Sequence, residues 1–357
     1  MIKVLVVDDS ALVRKLIGQA FSTQPDFEVR FARNGLEALA AIAGSRPDVV
    51  TLDVHMPEMD GLACLDRIMI ETPCPVVMVS SKTATGADAT LEALRLGAVD
   101  FVAKPTGAVS LRFDDVARAL IEKVRTAAGA RLKTSLRLRE KVRFRIGEGN
   151  SAAPHTTVGK ARFASKGGQG LVLIGTSTGG PPALEALLTS LPAAFPWPIV
   201  VAQHMPATFT GPLARRLDGI SRLHVQEVRD PIALKPGNVY IGRGDADVIV
   251  SKRGTALVAM AAPIQADYPW HPSTDRLVRS ALNHMAPNRL IGILMTGMGN
   301  DGAEAMAMIH AGGGRTIAEA EETAVVWGMP GELVKANGAD FVVPLQNIAA
   351  QLKKLVG

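Results

Sequence analysis

The sequence predicts an α/β protein with two domains, each built on a doubly wound, mainly parallel sheet flanked by helices. Short apolar runs alternate with amphipathic helical patterns in both halves of the chain, which is typical of this architecture. Apolar residues make up 47% of the 357 residues but aromatic residues only 4%, so the cores are aliphatic, as buried parallel strands require. A chain of this length is sufficient for two or three domains.

The first 120 residues contain successive strand-and-helix units. Apolar runs predict five strands, which are IKVLVV (2–7), FEVRFA (27–32), DVVTLD (48–53), PVVMVSS (75–81) and VDFVAK (99–104). Helical periodicity follows the first four strands, at 11–21, 35–45, 61–71 and 90–97. This order predicts a five-stranded parallel sheet.

From residue 170 the same alternation returns. Predicted strands are LVLIG (171–175), PIVVAQ (198–203), LIGILMTG (290–297) and GRTIAEA (314–320). Predicted helices lie at 182–191, 302–312 and 347–356. The runs NVYIG (238–242), DVIVSK (247–252) and TALVAM (255–260) follow one another without helices, and we therefore expect them to form a small antiparallel section.

Residues 124–168 interrupt the pattern and predict a basic, partly flexible linker between domains at 1–123 and 169–357. The basic run 122–145 holds nine Lys and Arg against two Glu, a net charge of +7, which leaves −2 for the rest of the chain with its total of +5. Basic charge confined to one segment does not indicate nucleic-acid binding by either domain. The run is either a solvated helical connector or a segment that docks on an acidic face or anionic lipid.

The sequence also predicts a cytoplasmic protein without membrane insertion. No apolar run approaches the roughly 18 residues of a membrane span, and the first apolar stretch is too short for a signal peptide. Cys64 and Cys74 fit neither a metal-ligand spacing nor a disulfide framework. Such cysteine usage favours a reducing compartment.

Polar side chains follow the predicted strands of the first half. Asp8 and Asp9 end the first strand, Asp53 the third and Ser80 the fourth, while Lys104 follows the fifth. The carboxyl ends of parallel strands meet at one edge of a sheet, so these groups should converge there. Carboxylates suit Mg²⁺, and one of them can act as a nucleophile towards a phosphoryl group. One such Asp alone is more often a helix cap, but five such groups at strand ends favour a functional site.

The motifs VLVVDDS, LDVHMPEMDG, VVMVSS and DFVAKP within residues 1–123 resemble the receiver domain of two-component response regulators. The resemblance implies a flavodoxin-like (βα)5 fold and phosphorylation of Asp53 by a histidine kinase. It also implies a Mg²⁺ ion bound by Asp8, Asp9 and Asp53. The residues implied to switch on phosphorylation are Ser80, Phe101 and Lys104.

The second half places a hydroxyl, an imidazole and a carboxylate after three strands. The pattern Gly175-x-Ser177-x-Gly179 between a strand and a helix has the nucleophile-elbow spacing, although a phosphate loop or a tight turn shares it. His204 ends the next strand and Asp301 begins a helix, and each could be merely structural. Together they fit a triad in which serine attacks, histidine accepts its proton and the carboxylate orients the ring. Their chain order differs from that of the α/β-hydrolases.

The motifs IGTSTGG, QHMP and LMTGMGNDGA resemble the catalytic domain of CheB-type chemotaxis response regulators, the protein-glutamate methylesterases/protein-glutamine glutaminases. The resemblance implies a phosphorylation-activated serine hydrolase that demethylates glutamate γ-methyl esters of chemoreceptors and deamidates specific glutamines. It implies no cofactor at the esterase site. The catalytic residues it implies are Ser177, His204 and Asp301, with the backbone N–H of Met298 as oxyanion donor and Thr178 beside the nucleophile.

Two further residues stand out against this resemblance. Thr176 replaces the alanine usual in the family, and we expect it to alter substrate fit without abolishing catalysis. His271 lies in the polar loop DYPWHPSTD and is a candidate for substrate contact.

The implied partners are the histidine kinase of a chemosensory array and its methylated chemoreceptors. Three other classes of protein fit less well. A DNA-binding regulator would have a short helix-turn-helix output domain, in place of the Gly-rich α/β residues 169–357. An inactive scaffold would lack a triad member. A dinucleotide-binding domain would carry the G-x-G-x-x-G spacing, which GTSTGG lacks.

Overall fold

The computed structural model describes residues 1–81, 83–104, 113–130 and 170–356. The chain divides into two compact units, Met1–Thr156 and Thr157–Gly357. The predicted linker 124–168 therefore lies mostly outside the described residues. None of the described helices combines the length and apolar character needed to cross a bilayer.

The first unit is a five-stranded parallel sheet in the order β2-β1-β3-β4-β5, which confirms the predicted (βα)5 fold. Its strands are β1 Ile2–Val7, β2 Phe27–Ala32, β3 Val49–Asp53, β4 Val76–Ser80 and β5 Asp100–Ala103. Its helices are α1 Ala11–Ser22, α2 Gly35–Gly44, α3 Gly61–Glu71, α4 Ala84–Leu96 and α5 Phe113–Ala128. Strands β3, β4 and β5 are buried along their whole length, because helices cover both faces of the sheet.

Helix α4 is longer than the sequence pattern suggests, and α5 passes the predicted domain limit. Helix α4 begins six residues before the predicted start at residue 90, because the Thr83 side chain caps it by accepting a hydrogen bond from Gly86 N. It ends, as predicted, at Gly97, which adopts a left-handed φ of +118°. Helix α5 continues to Ala128 and so passes residue 123, where we placed the end of the domain.

The second unit has a seven-stranded parallel sheet in the order β15-β14-β13-β6-β7-β10-β8 and a three-stranded antiparallel sheet, β11-β12-β9. The strands of the large sheet are β6 Leu171–Thr176, β7 Ile199–Gln203, β8 His224–Val228, β10 Asn238–Gly242, β13 Leu290–Leu294, β14 Arg315–Glu319 and β15 Phe341–Val343. Those of the small sheet are β9 Ile232–Ala233, β11 Asp247–Arg253 and β12 Ala256–Ala262. The mainly parallel fold with a small antiparallel section is thus confirmed.

Six α-helices of the second unit lie within the described residues. They are α6 Gly180–Thr189, α7 Ala207–Ile220, α8 Thr274–Leu282, α9 Ala303–Ala311, α10 Met329–Lys335 and α11 Leu345–Val356. Their apolar faces pack on the large sheet around a core that includes Leu173, Val200 and Leu277. The strands β6, β7 and β13 at the centre of the sheet are fully buried.

The assignment of NVYIG to the antiparallel section was wrong. This segment is β10, which pairs in parallel with both β7 and β8. A connection without a helix usually joins antiparallel strands, but here the segment between β8 and β10 runs through β9 of the small sheet. The crossover is therefore made by a strand of another sheet, and this arrangement leaves no signal in the local sequence.

Candidate active site

Strand β6 and the turn after it place Ser177 at the carboxyl edge of the large sheet. The backbone N–H of Ser177 donates to Thr296 O at 3.0 Å, and its carbonyl accepts from Gly180 N at 2.8 Å. Gly179 has a φ of +77°, and a Cβ there would lie 2.8 Å from Val325. The turn is therefore tight enough to require glycine, and it leaves the Ser177 side chain half-buried.

Thr296 joins the elbow to the neighbouring strand. Its carbonyl also accepts the hydroxyl of Thr176 at 3.0 Å, while its own hydroxyl donates to Thr178 O at 2.8 Å. Its N–H donates at 2.8 Å to the fully buried carboxylate of Glu319. Thr176 is fully buried, so its side chain packs inside the elbow.

His204 follows β7 and lies at the same edge as Ser177. Its N–H donates to Thr176 O at 3.0 Å, and the side-chain amide of Gln203 donates to the carbonyls of both Ser177 (3.0 Å) and His204 (3.1 Å). The imidazole Nε2 lies 2.7 Å from Asp301 Oδ2. These bonds fix the backbone of the nucleophile and of the base to each other, and fix the base to the carboxylate.

The second ring nitrogen of His204, Nδ1, is buried and has no hydrogen-bond partner among the described residues. The hydrogen bond between serine and histidine that a triad uses is therefore not formed in this structure, as is common in enzymes without substrate. In the serine-protease arrangement the carboxylate binds Nδ1 and the serine faces Nε2. Here the carboxylate binds Nε2, which leaves Nδ1 as the nitrogen available to the serine.

Asp301 precedes helix α9, and its carboxylate accepts four hydrogen bonds. Besides His204, the donors are Thr274 N (2.6 Å), Ser273 Oγ (2.9 Å) and Asp275 N (3.0 Å), all at the start of α8. Burial alone would raise the pKa of this carboxyl, but the bonds from His204 and from the backbone N–H groups outweigh it and hold the pKa below its ordinary value. Asp301 is therefore an anion suited to orienting His204.

The predicted oxyanion residue lies beside the nucleophile. Gly297 contacts Ser177 so closely that a Cβ would lie 2.8 Å from the Ser177 Cβ, and Gly299 has a φ of +85°. Met298 lies between these two glycines and is half-buried. The loop 297–299 thus begins directly against Ser177.

The sequence did not reveal three residues that surround this site. The indole of Trp270 stacks on His204 with ring centroids 6.1 Å apart and an interplanar angle of 6°. Ser273 contacts Asp301, and the fully buried Asp247 contacts Ser273 N at 2.7 Å. His271, the proposed substrate contact, has its Nδ1 2.9 Å from Asp247 Oδ1. The polar loop DYPWHPSTD was the sequence signal for Trp270 and Ser273, whereas Asp247 lies in β11 and had none.

In the first unit the acidic residues converge as expected. Ligand oxygens of Asp8, Asp9 and Asp53 lie within 4.8 Å of one another, a set of hard oxygen donors that fits Mg²⁺. Lys104 Nζ lies 2.9 Å from Asp8 Oδ2 and 2.8 Å from Asp53 Oδ2. Burial raises the pKa of Asp53, although Lys104 opposes the shift. Burial lowers the pKa of Lys104, but the two carboxylates outweigh this effect, so its pKa is raised above the ordinary value.

Two of the implied switch residues, Ser80 and Phe101, lie on the adjacent strands β4 and β5. Ser80 Oγ donates to Gly86 O at 3.1 Å near the start of α4. Phe101 is buried in β5, and Lys123 Nζ lies 5.1 Å from its ring centre. Gly61 approaches so closely that a Cβ would lie 2.0 Å from Asp53 O, which explains the glycine that ends the MPEMDG motif.

A receiver-type sheet with an acidic cluster, followed by an α/β unit with a nucleophile elbow, defines the class of response regulators with an enzymatic output domain. A family model described as CheB methylesterase matches residues 172–352, and one described as response regulator receiver domain matches residues 4–113. The chain belongs to the CheB methylesterase family.

Similar proteins agree with this membership. A protein of Rhodopseudomonas palustris named protein-glutamate methylesterase/protein-glutamine glutaminase 2 is 56% identical over 98% of this chain and 97% of its own length. One of Rhodospirillum rubrum, named protein-glutamate methylesterase/protein-glutamine glutaminase 3, is 51% identical over 99% of this chain and 95% of its own length. The crystal structure of the Thermotoga maritima CheB methylesterase catalytic domain is 38% identical, with a TM-score of 0.51 over 53% of this chain and all of that chain.

Proposed function

We propose that this protein is a phosphorylation-activated serine hydrolase that demethylates glutamate γ-methyl esters of chemoreceptors and deamidates specific receptor glutamines. The observation that best supports the proposal is the 2.7 Å contact between His204 Nε2 and Asp301 Oδ2 at the sheet edge where the Ser177 elbow lies. Identity above 50% to two methylesterases/glutaminases along nearly the whole chain supports the same reaction. The pathway is chemotaxis or a related chemosensory pathway.

In the proposed reaction the Ser177 hydroxyl attacks the ester carbonyl while His204 Nδ1 takes its proton. The imidazolium that forms is stabilised by Asp301, whose four hydrogen bonds keep it charged and immobile. His204 then gives the proton to the departing methanol, and water hydrolyses the acyl-enzyme by the reverse sequence. A glutamine side chain follows the same path with ammonia as the leaving group. General-base assistance of this kind contributes about 10²–10⁴-fold to the rate.

The tetrahedral intermediate needs donors for its negative oxygen. We assign this role to the backbone N–H of Met298, because the loop 297–299 lies directly against Ser177. One such donor contributes about 10²–10³-fold. The esterase chemistry is complete with these protein groups and calls on no metal ion.

The regulatory site is assigned to the first unit, with Asp53 as the residue phosphorylated by a histidine kinase. Asp8, Asp9 and Asp53 would hold Mg²⁺, which would neutralise charge on the phosphoryl oxygens. Lys104 already contacts Asp53 and would bind the phosphoryl group in turn. Ser80 and Phe101 would then respond to the new charge. The domain limits 1–123, 124–168 and 169–357 remain part of this proposal, with the last receiver helix extending to Ala128, and so does a cytoplasmic setting.

The test is release of methanol from receptor membranes carrying labelled methyl esters. Ser177→Ala should lose the activity, because no other group in the proposed mechanism can form the acyl-enzyme. Ser190→Ala, which changes an exposed serine at the end of α6, is the matched control and should keep it. A small phosphodonor should stimulate the wild type but not Asp53→Asn. Activity that survives Ser177→Ala would remove the assigned nucleophile.

A further inference from the structure

We propose that Trp270 is a positioning residue that fixes the plane of the general base His204, an inference that rests on the function proposed above. The indole and imidazole rings are nearly parallel, with an interplanar angle of 6° and centroids 6.1 Å apart. This is the offset-stacked geometry favoured by aromatic pairs. Trp270 is only half-buried, so it forms the outer wall beside the base.

The imidazole needs such a wall because its polar contacts do not fix the orientation of the ring. Within the described residues, the ring is hydrogen-bonded through Nε2 to Asp301, while Nδ1 has no partner. A single hydrogen bond at Nε2 does not by itself fix the plane of the ring, because the side chain can still turn about its Cα–Cβ and Cβ–Cγ bonds. Such turning would change the direction of Nδ1, the nitrogen that must take the proton of Ser177. A stacked indole restricts the ring to one plane and therefore fixes the direction of Nδ1, the nitrogen assigned to the serine.

The same indole also contacts the loop that carries the assigned oxyanion donor. A Cβ on Gly299 would lie 2.8 Å from Trp270 Cζ2, and the backbone there has a φ of +85°. Glycine is thus required both by the conformation and by the indole. Trp270 lies between His204 and the loop 297–299, so it can hold both relative to each other.

A buried anchor holds Trp270 in place. Asp247 is fully buried in β11 and contacts His271 Nδ1 (2.9 Å), Ser273 N (2.7 Å) and Arg276 Nη1 (2.6 Å). His271 directly follows Trp270 in the chain. Ser273 in turn donates its hydroxyl to Asp301 at 2.9 Å. The anchor therefore holds the residue next to Trp270 and, through Ser273, the carboxylate that binds His204.

The experiment is a double-mutant cycle in the full-length protein, with methanol release as readout. We expect Trp270→Ala to lower kcat about 10- to 100-fold, the effect of misplacing a catalytic group, with KM nearly unchanged. In a His204→Ala background the same substitution should change the residual rate by less than about twofold, because the group that Trp270 positions is gone. Trp270→Phe keeps an aromatic face and should recover part of the rate, and it replaces the alanine variant if that protein fails to fold.

Trp197→Phe is the matched control and should keep the wild-type rate. Trp197 is half-buried like Trp270 but precedes β7, at the opposite edge of the same sheet. An equal loss of rate on Trp270→Ala with and without His204 would overturn the inference, because the indole would then act independently of the base. An unchanged rate in Trp270→Ala would also overturn it. Full activity of His204→Ala alone would overturn the proposed function and this inference with it.

Discussion

Replacement of Asp301 by asparagine tests the carboxylate that orients the base. Each oxygen of Asp301 accepts one backbone N–H: Oδ1 accepts from Asp275 N and Oδ2 from Thr274 N. Each oxygen has a second donor as well: Ser273 Oγ donates to Oδ1, and His204 Nε2 donates to Oδ2. An amide offers one oxygen and one NH₂ group. In either orientation the NH₂ group replaces an oxygen that accepts a backbone N–H, so that N–H loses its acceptor.

The structure gives the size of the effect on stability. One buried N–H left unpaired costs about 1–3 kcal/mol, and the loss of charge weakens the remaining bonds, so we expect Asp301→Asn to lower the free energy of unfolding by about 2–4 kcal/mol. The effect on catalysis should be larger, because an amide cannot stabilise the imidazolium. By analogy with the same change in a serine protease, we expect kcat to fall about 10⁴-fold.

Urea unfolding and methanol release measure the two effects. All three tryptophans of the chain, Trp197, Trp270 and Trp327, lie in the second unit, so their fluorescence reports its unfolding. The folded pKa of Asp301 lies below its ordinary value of 3.8, so its contribution is complete above that value and is lost as the pH falls through the folded pKa. The difference in stability between wild type and variant should therefore be constant near neutrality and shrink below about pH 4.

The control for this substitution is Asp245→Asn, which removes the same charge from an exposed carboxylate. It should leave both stability and rate nearly unchanged. If Asp301→Asn matched Asp245→Asn in either measurement, the role assigned to the Asp301 carboxylate would be refuted.

Three further predictions follow from the same structure. Burial raises the pKa of Cys64 to about 12 and that of Cys74 to about 11. A thiol reagent at about pH 8 should therefore label neither cysteine in the folded protein and both after unfolding. Labelling of the native protein would contradict this. Thr176→Ala should lower the free energy of unfolding in urea by about 0.5–1.5 kcal/mol, because the hydroxyl bond to Thr296 O is lost. Its kcat/KM should stay nearly unchanged. A change in substrate preference would show that the side chain reaches the substrate. The proposed activation by phosphorylation implies that the unphosphorylated receiver inhibits the esterase, so residues 165–357 alone should release methanol faster than the unphosphorylated full chain. Equal turnover would argue against this inhibition.

The convergence of the site residues could be predicted because parallel strands end at a common edge. Ser177 and His204 follow the adjacent strands β6 and β7, and Asp301 lies on the loop after β13, the other neighbour of β6. The same rule applies to Asp8, Asp53 and Lys104 in the first unit. Strand order itself was not needed, since the edge is the same for every strand of a parallel sheet.

The parts of the fold that escaped prediction depend on contacts remote in sequence. The apolar run of β10 fits a parallel or an antiparallel partner equally well, and its neighbours β7 and β8 decide between them. The start of α4 was hidden by Gly86, a residue unfavourable in helices. Glycine is needed there because a Cβ would lie 2.6 Å from Ser81 O.

The residues that surround the triad could not be predicted from sequence motifs either. Trp270 and Asp247 belong to a loop and to the small sheet, and only the folded chain brings them to His204 and Ser273. The choice of Nε2 as the nitrogen that binds Asp301 is likewise a matter of side-chain geometry. No spacing rule specifies it.

The most direct test of the account compares methanol release by Ser177→Ala, His204→Ala and the variant with both substitutions. Groups that act as one unit give strongly non-additive losses. The account predicts that the double variant is no slower than the slower single variant. Losses that multiply would mean that Ser177 and His204 act independently, which would contradict a catalytic triad at this edge of the sheet.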